Sequence, residues 1–392
     1  MTLRFHGRAL EATSVLRDGT HRAATLEATW RRFAPAARRA GITRIAELTG
    51  LDTLGIPVFA AIRPMGLSLS TQQGKGLTPL AARVSALMES LETWTAEHIE
   101  LPVIRSSARR LAGRAVDVRR LARPRGRLDR DARWAWVEGR DLVHDVPVLV
   151  PRQAVTLDTV FARPPVFDVS SNGLASGNVL VEAIVHGLCE VIERDAEAAW
   201  RRSGGDRRIV LDSIADPACQ SLIDRITAAG ARVFVWDLGG DTGVPVIGCA
   251  IMEDPGEPAW RTLGFYQGFG AHLVPEIAIA RALTEAAQTR LTYITGGRDD
   301  FFPFDYARAT DPARLADLWD QLASPCDEPA SAAELPRIEA RSLGEQLERL
   351  VECVVAAGYA QVVVVELTHP ELGVPVAKVI VPGLATDVEA MG

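Results

Sequence analysis

The clearest alternation of apolar and polar positions lies between residues 170 and 200, where SSNGLASGNVLVEAIVHGLCEVIERDAEAAW runs from a Gly-rich loop into a long amphipathic helix. At about 100° per residue, Val181, Ile184, Val185, Leu188, Val191 and Ile192 share one side, and Asn178, Glu182, His186, Glu190 and Glu193 fall within an arc of about 120° on the other. Two further segments repeat this design. Thr78 followed by Pro79 reads as an N-cap and a proline at the first helical position, predicting a helix to about His98 with Ser85, Glu89 and Glu92 opposite Leu87 and Leu91. Pro275 opens a third helix that stops at Gly296 and Gly297, with Arg281, Glu285, Gln288 and Thr292 in front of Leu283, Ala287, Leu291 and Ile294.

Shorter apolar runs predict strands, and their order repeats. Residues 26–40 carry a helical pattern, 41–49 read as a strand, and Gly55-Ile56-Pro57-Val58 opens a second strand at 59–62. A helix ending at Gly230, a strand at 232–236 and Gly243-Val244-Pro245-Val246 follow the same order, as do a helix ending at Gly358, a strand at 361–367 and Gly373-Val374-Pro375-Val376. Proline at the start of a strand costs no interior ladder bond, and the glycine before it suits a turn. The pattern predicts three helix-strand-strand units in an α/β (α+β) fold.

Composition narrows the function classes. A chain of 392 residues, 47% hydrophobic, buries a large core, and its net charge of -7 argues against gripping nucleic acid over the whole surface. The N-terminus lacks an apolar core of signal-peptide length, and no uncharged apolar run reaches membrane-spanning length, so a cytoplasmic protein is expected. Cys189, Cys219, Cys249, Cys326 and Cys353 are odd in number and widely spaced, which argues against zinc and a disulfide framework. Between residues 105 and 133, arginine takes 11 positions. This stretch reads first as a solvated, helix-rich insertion tied to nearby acids and second as a docking surface for an acidic partner. Residues 305–340, rich in Ala, Pro and acids, read as surface helices and loops.

The carboxylates carry the chemistry. Glu89, Glu92, Glu182, Glu190, Glu193 and Glu285 lie on three helix faces from distant parts of the chain, and gathering them without cations would cost several kcal/mol for each unpaired buried charge, roughly. Oxygen-ligated divalent ions resolve the conflict, and Mg²⁺ suits a site that supplies one or two carboxylates per ion and leaves positions for water and phosphate. A di-iron site competes, but it uses Glu-x-x-His pairs, whereas His186 follows Glu182 by four. His186 reads as a hydrogen-bonded, half-buried histidine. Arg22, Lys75, Arg194, Arg281 and Arg290 lie beside these acids in the sequence, which suits a polyphosphate. The loop Gln72-Gln73-Gly74-Lys75-Gly76 precedes a helix N-terminus but is no Walker loop, so the expected nucleotide site is nonstandard.

Taken together, these residues resemble the YcaO family of ATP-dependent enzymes that modify peptide backbones, over nearly the whole chain. Ser85, Glu89 and Glu92 match its Ser-x-x-x-Glu-x-x-Glu motif, Asn178, Glu182, Glu190, Glu193 and Arg194 its central motif, and Arg281, Glu285 and Gln288 its Arg-x-x-x-Glu-x-x-Gln motif. In GTHRAATLEATW, Arg22 and Thr29 occupy the places of a basic residue and a hydroxyl near the nucleotide. The resemblance implies one YcaO domain over 1–392, divisible at 1–104, 105–150, 151–300 and 301–392. It implies ATP between the sheet and the three acidic-faced helices, with Mg²⁺ bridging its phosphates. Glu89, Glu92, Glu182, Glu190, Glu193 and Glu285 are then assigned to metal and nucleotide, Arg22, Arg194 and Arg281 to phosphate, and Ser85, Asn178 and Thr29 to the nucleotide. Lys75, Gln288 and Arg290 follow as further nucleotide contacts.

The implied reaction adds a nucleophile to a backbone amide, transfers the γ-phosphoryl group to the resulting oxyanion, and expels phosphate. Phosphorylation turns a poor leaving oxygen into a good one, and positioning with charge neutralisation does most of the catalysis. Two departures bear on subtype. The chain ends VPGLATDVEAMG where many azoline-forming members carry a Pro-x-Pro-x-Pro tail, and Thr93 stands after Glu92 where arginine is frequent. The wording of GITRIAELTGLDTLGIPV, SSNGLASGN and GAHLVPEIAIARALTEAAQTRLT is most similar to members that work with a TfuA-like partner, in which a sulfide equivalent yields a thioamide. The alternatives are an azoline- or amidine-forming cyclodehydratase, a noncatalytic recruitment protein that keeps the fold, and an ATP-using ligase or kinase acting on a small molecule. The expected partners are a peptide or protein substrate and a TfuA-like protein, with no membrane and no direct nucleic acid. No appended leader-binding domain is visible, and a homodimer is left open.

Overall fold

The computed structural model describes residues 3–15, 19–122, 128–160, 165–256, 263–326 and 329–385. The chain begins with a small hairpin, β1 (Arg4–Phe5) and β2 (Arg8–Ala9), followed by α1 (Leu26–Phe33), β3 (Arg44–Glu47), β4 (Val58–Ile62), β5 (Thr71–Lys75) and α2 (Pro79–Glu97). Three strands come next, β6 (Ile104–Ser107), β7 (Arg133–Asp141) and β8 (Val146–Pro151), and then β9 (Leu174–Ser176) and α3 (Leu180–Ser203). The second half holds α4 (Pro217–Ala228), β10 (Ala231–Asp237), β11 (Val246–Glu253), β12 (Tyr266–Ala271), α5 (Pro275–Thr295), α6 (Pro303–Ala309), α7 (Pro312–Ala323), α8 (Leu343–Ala356), β13 (Val363–Glu366) and β14 (Val376–Ile380).

The local signals act as the sequence suggests. Thr78 caps α2 by accepting a bond from the Ala81 N–H at 3.2 Å, and Gly296 ends α5 in the left-handed conformation at φ 58°. Pro35 tightens the end of α1 into a short turn of 3₁₀ helix, so the 26–40 pattern covers a helix and its exit. The strand expected at 41–49 is confined to Arg44–Glu47, and that expected at 361–367 to Val363–Glu366.

The repeated unit is larger than the sequence indicated. Each helix and its two antiparallel strands are joined by a third strand, and the third strand supports one of the acid-bearing helices. In the first unit, β3-β4-β5 carries α2, and in the second, β10-β11-β12 carries α5. The last is assembled out of chain order, because β13 and β14 take β9 as their third strand, so that α3 completes a unit begun by α8. These strands belong to a six-stranded sheet ordered β6-β7-β13-β14-β9, with β8 on β7.

Glycines explain why the strands β5 and β12 lack the branched residues usual in strands. A Cβ at Gly74 of β5 would overlap the Ala86 backbone nitrogen of α2, and one at Gly268 of β12 would overlap the Ala286 backbone nitrogen of α5. Backbone approaches backbone there, which a branched strand residue would prevent. Behind the helices the core falls into separate clusters. Ile184, Leu188 and Ile192 of α3 pack with Leu347, Leu350 and Val354 of α8 and Ala377 and Val379 of β14, while Leu87 and Leu91 of α2 join a cluster with Trp136, Val363 and Val365.

Two readings are corrected. The arginine-rich stretch 105–133 is not helix-rich, because its described part forms β6, turns, a single 3₁₀ turn and the start of β7. Its short runs, broken by Ala-Gly and charged pairs, give an edge strand and turns. Arg123, Arg125 and Arg127 lie outside the described residues, as does the chain end after Ala385. Arg290 faces away from the acidic front. It is fully buried at the back of α5, donating to Asp52 at 2.8 and 3.1 Å and to Glu253 at 2.6 Å, so it is a structural cation and not a phosphate contact. Among the described residues no helix is long and apolar enough to cross a membrane.

Two substitutions test this framework. Gly268→Val should destabilise the chain by about 3 kcal/mol or more, since the clash is with backbone and not with a flexible side chain. Arg290→Met should cost about 3–5 kcal/mol by removing the cation that pairs with the buried Asp52. Both are read as shifts in the denaturant midpoint.

Candidate active site

The fronts of α2, α3 and α5 face one cleft. Glu89 lies within electrostatic reach of Glu285 and Glu190, Glu92 of Glu89 and Glu190, and Glu193 of Glu190 and Glu285. Carboxylates contributed by distant parts of the chain therefore share a field. Lys75 reaches in from β5 to Glu285 at 2.7 Å, and Arg194 spans Glu197 at 2.7 Å, Glu193 at 3.4 Å and Glu285 at 3.8 Å. Glu89, Glu92 and Glu190 have no salt-bridge partner among the described residues. Ser176 of β9 lies close to Glu92 and partly offsets the effect of its burial.

The imbalance shows in the proton affinities. Burial pushes Glu190 up to about 8, opposed by Arg194 and reinforced by Glu193 and Glu89. Burial likewise pushes Glu193 up to about 7, against the pull of Arg194, and raises Glu92 well above the usual carboxylate range. Glu89 is raised in the same direction by the protein packed around it and by Glu285, against the pull of Lys75, although its side chain reaches solvent. Glu285 shows the opposite result. Its burial is outweighed by Lys75 and Arg194, which hold it below the ordinary value.

Beside the acids is a cationic corner. Glu182 at the start of α3 accepts from the Ala23 N–H at 2.9 Å, from Asn178 Nδ2 at 3.3 and 3.4 Å, and from Arg22 at 3.5 Å. It is 1% exposed, and its oxygens are spent holding Arg22 and the segment before α1. Arg22 and Arg281 converge on His186, and Arg281 also donates to the Ala271 carbonyl at 3.2 Å. Burial lowers His186 and His272 well below the ordinary histidine value, and Arg22 and Arg281 add to the effect, so both rings are neutral. Burial and Arg281 bring even Arg22 down to about 10, against the pull of Glu182. An anion would relieve this corner as a cation would relieve the acids.

The remaining residues are placed as follows. Asn178 precedes α3 and is not on its face, and it accepts from the Thr29 hydroxyl at 2.9 Å. Gln288 donates to the Gln73 carbonyl at 3.0 Å, tying α5 to β5. Ser85 sits half-buried on α2, one turn before Glu89. Sequence reasoning missed His272 and Lys378. Lys378 had a signal, since it is the one charged residue in the apolar strand Val376–Ile380.

The donor set fits magnesium with a polyphosphate. Among the described residues no group of three or more His, Cys, Asp and Glu side chains is gathered to hold a metal ion alone. Mg²⁺ needs no such cage, since it takes one or two carboxylates and completes its shell with water and phosphate oxygens.

An acid cleft beside a cationic corner, on three helix-bearing sheets, defines a nucleotide-dependent enzyme of nonstandard fold. A family model described as YcaO cyclodehydratase, ATP- and Mg²⁺-binding, matches residues 73–385, and the chain belongs to the YcaO family. ATP and Mg²⁺, the cofactors expected from the sequence, are those of the family. Over 384 residues the chain is 38% identical to a protein encoded in the region 3′ of tfuA in Rhizobium leguminosarum bv. trifolii, covering 95% of this chain and 90% of that one. The structure of YcaO from Methanopyrus kandleri bound with AMPPCP and Mg²⁺ superposes with a TM-score of 0.74 at 28% identity, over 97% of this chain and 96% of that one. A heterocyclase in complex with substrate and cofactor matches with a TM-score of 0.83 at 23% identity, covering 98% of this chain, which spans 55% of the heterocyclase. The latter likeness is one of fold.

The raised carboxylates set the sign of the pH dependence. Between their ordinary value of 4.5 and their folded values of about 7 to 8, the folded chain keeps protons that the unfolded chain has released. That stability is complete below about pH 4.5 and is lost as the pH rises through about 8. Thermal unfolding of the ligand-free protein should therefore move to lower temperature from about pH 6 to about pH 8.5. Glu190→Gln should flatten the decline, as should Mg²⁺ with AMPPCP.

Proposed function

We propose that the chain uses ATP and Mg²⁺ to activate a peptide-backbone amide by O-phosphorylation and, with a TfuA-like partner supplying a sulfide equivalent, makes a thioamide. The observation that carries this reading is one cleft in which Glu89, Glu92 and Glu190 have no salt-bridge partner among the described residues, beside a corner where Arg22 and Arg281 converge on a neutral His186. Glu89, Glu92 and Glu190 would hold Mg²⁺, with Glu193 and Glu285 behind them, and Mg²⁺ when bound neutralises phosphate charge. Lys75, Arg194, Arg22 and Arg281 are the phosphate-side cations, and Glu182 positions Arg22 without itself being free for metal.

The balanced chemistry asks little covalent work of the protein. Hydrosulfide adds to the amide carbon, forming a C–S bond and an oxyanion. The oxyanion attacks the γ-phosphorus and ADP leaves. The C–O bond then breaks to release phosphate, the S–H proton is lost, and C=S forms. Each step moves negative charge, and fixed cations stabilise such charge most where water is excluded. The relative encoded beside tfuA supports the choice of partner, and the Methanopyrus protein with its ATP analogue and Mg²⁺ supports the choice of cofactors.

The test is incubation of the protein with ATP, Mg²⁺, sulfide, a TfuA-like protein and a candidate peptide, read by mass spectrometry. Exchange of one oxygen for sulfur supports the reading. Loss of one water at Cys, Ser or Thr replaces it with the azoline branch, and ADP release driven by a small metabolite without peptide removes the peptide altogether. Arg281→Met should lower turnover about 10²-fold or more while the protein remains folded.

A further inference from the structure

A second polar site lies beside the cleft, at the end of β14. The strand pairs with β9 so that Val376 is opposite Ser176 and Lys378 opposite Leu174. Lys378 therefore sits two positions along from the row that holds Ser176, a neighbour of Glu92. Its ammonium is 3% exposed, donates to the Ser170 carbonyl at 2.6 Å, and lies in the field of Glu190, Asp168 and Glu92. Lys378 lines a cavity of about 60 Å³ with Asp168, Ser170, Asn172 and Val191, the last being the neighbour of Glu190 on α3. Val191 belongs to the apolar back of α3, and the tie to the cleft is Lys378 itself, which lies in the field of Glu190 and Glu92.

The cavity has polar groups left over. Asp168 Oδ2 and Asn172 Oδ1 are buried with no hydrogen-bond partner, although the loop bearing them is pinned by Asp168 N–H to the Ala122 carbonyl at 3.0 Å and by Val379 N–H to the Gly173 carbonyl at 2.7 Å. A buried acceptor without a donor is destabilising. An ammonium has three donors, and one here is used by Ser170. Two acceptors therefore await N–H groups, and a fixed cation has donors to spare. A simple anion would be repelled by Asp168, and a simple cation by Lys378. A backbone amide matches both, with an N–H for Asp168 or Asn172 and a carbonyl for Lys378.

We propose that this cavity is the docking site for the substrate's backbone amide, with Lys378 donating to its carbonyl oxygen on the side of Glu190 and Glu92, and Asp168 and Asn172 accepting from peptide N–H groups. The inference rests on the reading that a backbone amide is the group activated, and it assigns that amide a place distinct from the nucleotide's. The nucleotide is assigned to the fronts of three helices, whereas the amide is assigned to the cavity walled by Lys378, Asp168 and Asn172.

The experiment uses the full chain and N-acetylglycine N-methylamide, a minimal backbone amide, followed by saturation-transfer NMR. The probe should bind wild type. It should bind Asn172→Leu and Lys378→Met about tenfold or more weakly, and an ester analogue lacking the N–H should bind wild type less well than the amide does. Asn172→Leu keeps the test sound if Lys378→Met does not fold, because replacing an unpartnered buried oxygen by an apolar group should leave the melting temperature unchanged or raised. Absence of transfer to wild type, or transfer that Asn172→Leu leaves unaltered, overturns the proposal, the cavity then holding only water. Calorimetry of Mg²⁺ with AMPPCP on the same samples separates the two readings. Loss of nucleotide binding in wild type defeats the proposed function whatever the probe does, and loss of it in Asn172→Leu places that residue in the nucleotide site and defeats the amide site.

Discussion

The architecture depends on how closely a helix can lie on a strand. At Gly74 and Gly268 the helix backbone occupies the space where a side chain would be, so α2 and α5 sit lower on their sheets than branched strand residues permit. A comparable approach occurs at Gly187 of α3, where a Cβ would crowd the carbonyl of Gly173 just before β9. Seating the helices by their backs leaves their fronts to one another. Like-charged residues from remote segments are forced into a shared space by steric fit, and the electrostatics follow from that packing.

The result is a folded chain that stores repulsion. The protein's own cations relieve only part of it. Lys75 and Arg194 suffice to hold Glu285 low, yet Glu190, Glu193 and Glu92 stay high. On the other side, Arg22 and Arg281 press on two neutral histidines. A ligand that carries metal at one end and phosphate at the other relieves both strains together, which makes binding energy available where chemistry needs it. A fully buried ion pair such as Arg63 with Glu97, which also takes the Ser68 hydroxyl at 2.6 Å, shows the contrast, since its charges are matched within the fold and invite nothing.

Much of this could be read from the chain before the coordinates. The three acid-bearing helices were legible because their apolar backs and polar fronts repeat at helical spacing, with Thr78, Pro79, Pro275 and Gly296 marking their ends. What escaped was set by tertiary contact. Strands such as Thr71–Lys75 carry glycine and glutamine instead of branched residues, so propensity reads them as loops. Arg290 shares its helix with Glu285 and Gln288, and only the position of Asp52 and Glu253 shows that it faces the back. Periodicity also placed Asn178 on a helix that starts two residues later. Glu182 looks like its neighbours in sequence, but the Ala23 N–H and Arg22 claim it.

The out-of-order third unit has a bearing on biosynthesis. Helix α3 contributes Glu190 and Glu193 from the middle of the chain, yet the strands β13 and β14 that seat its sheet are made near the end. As a nascent chain emerges, the first two units can form from contiguous sequence, while the third waits until the last strands leave the ribosome. The pocket's acidic half is thus assembled late, and a prematurely terminated product is spared from presenting a competent nucleotide cleft.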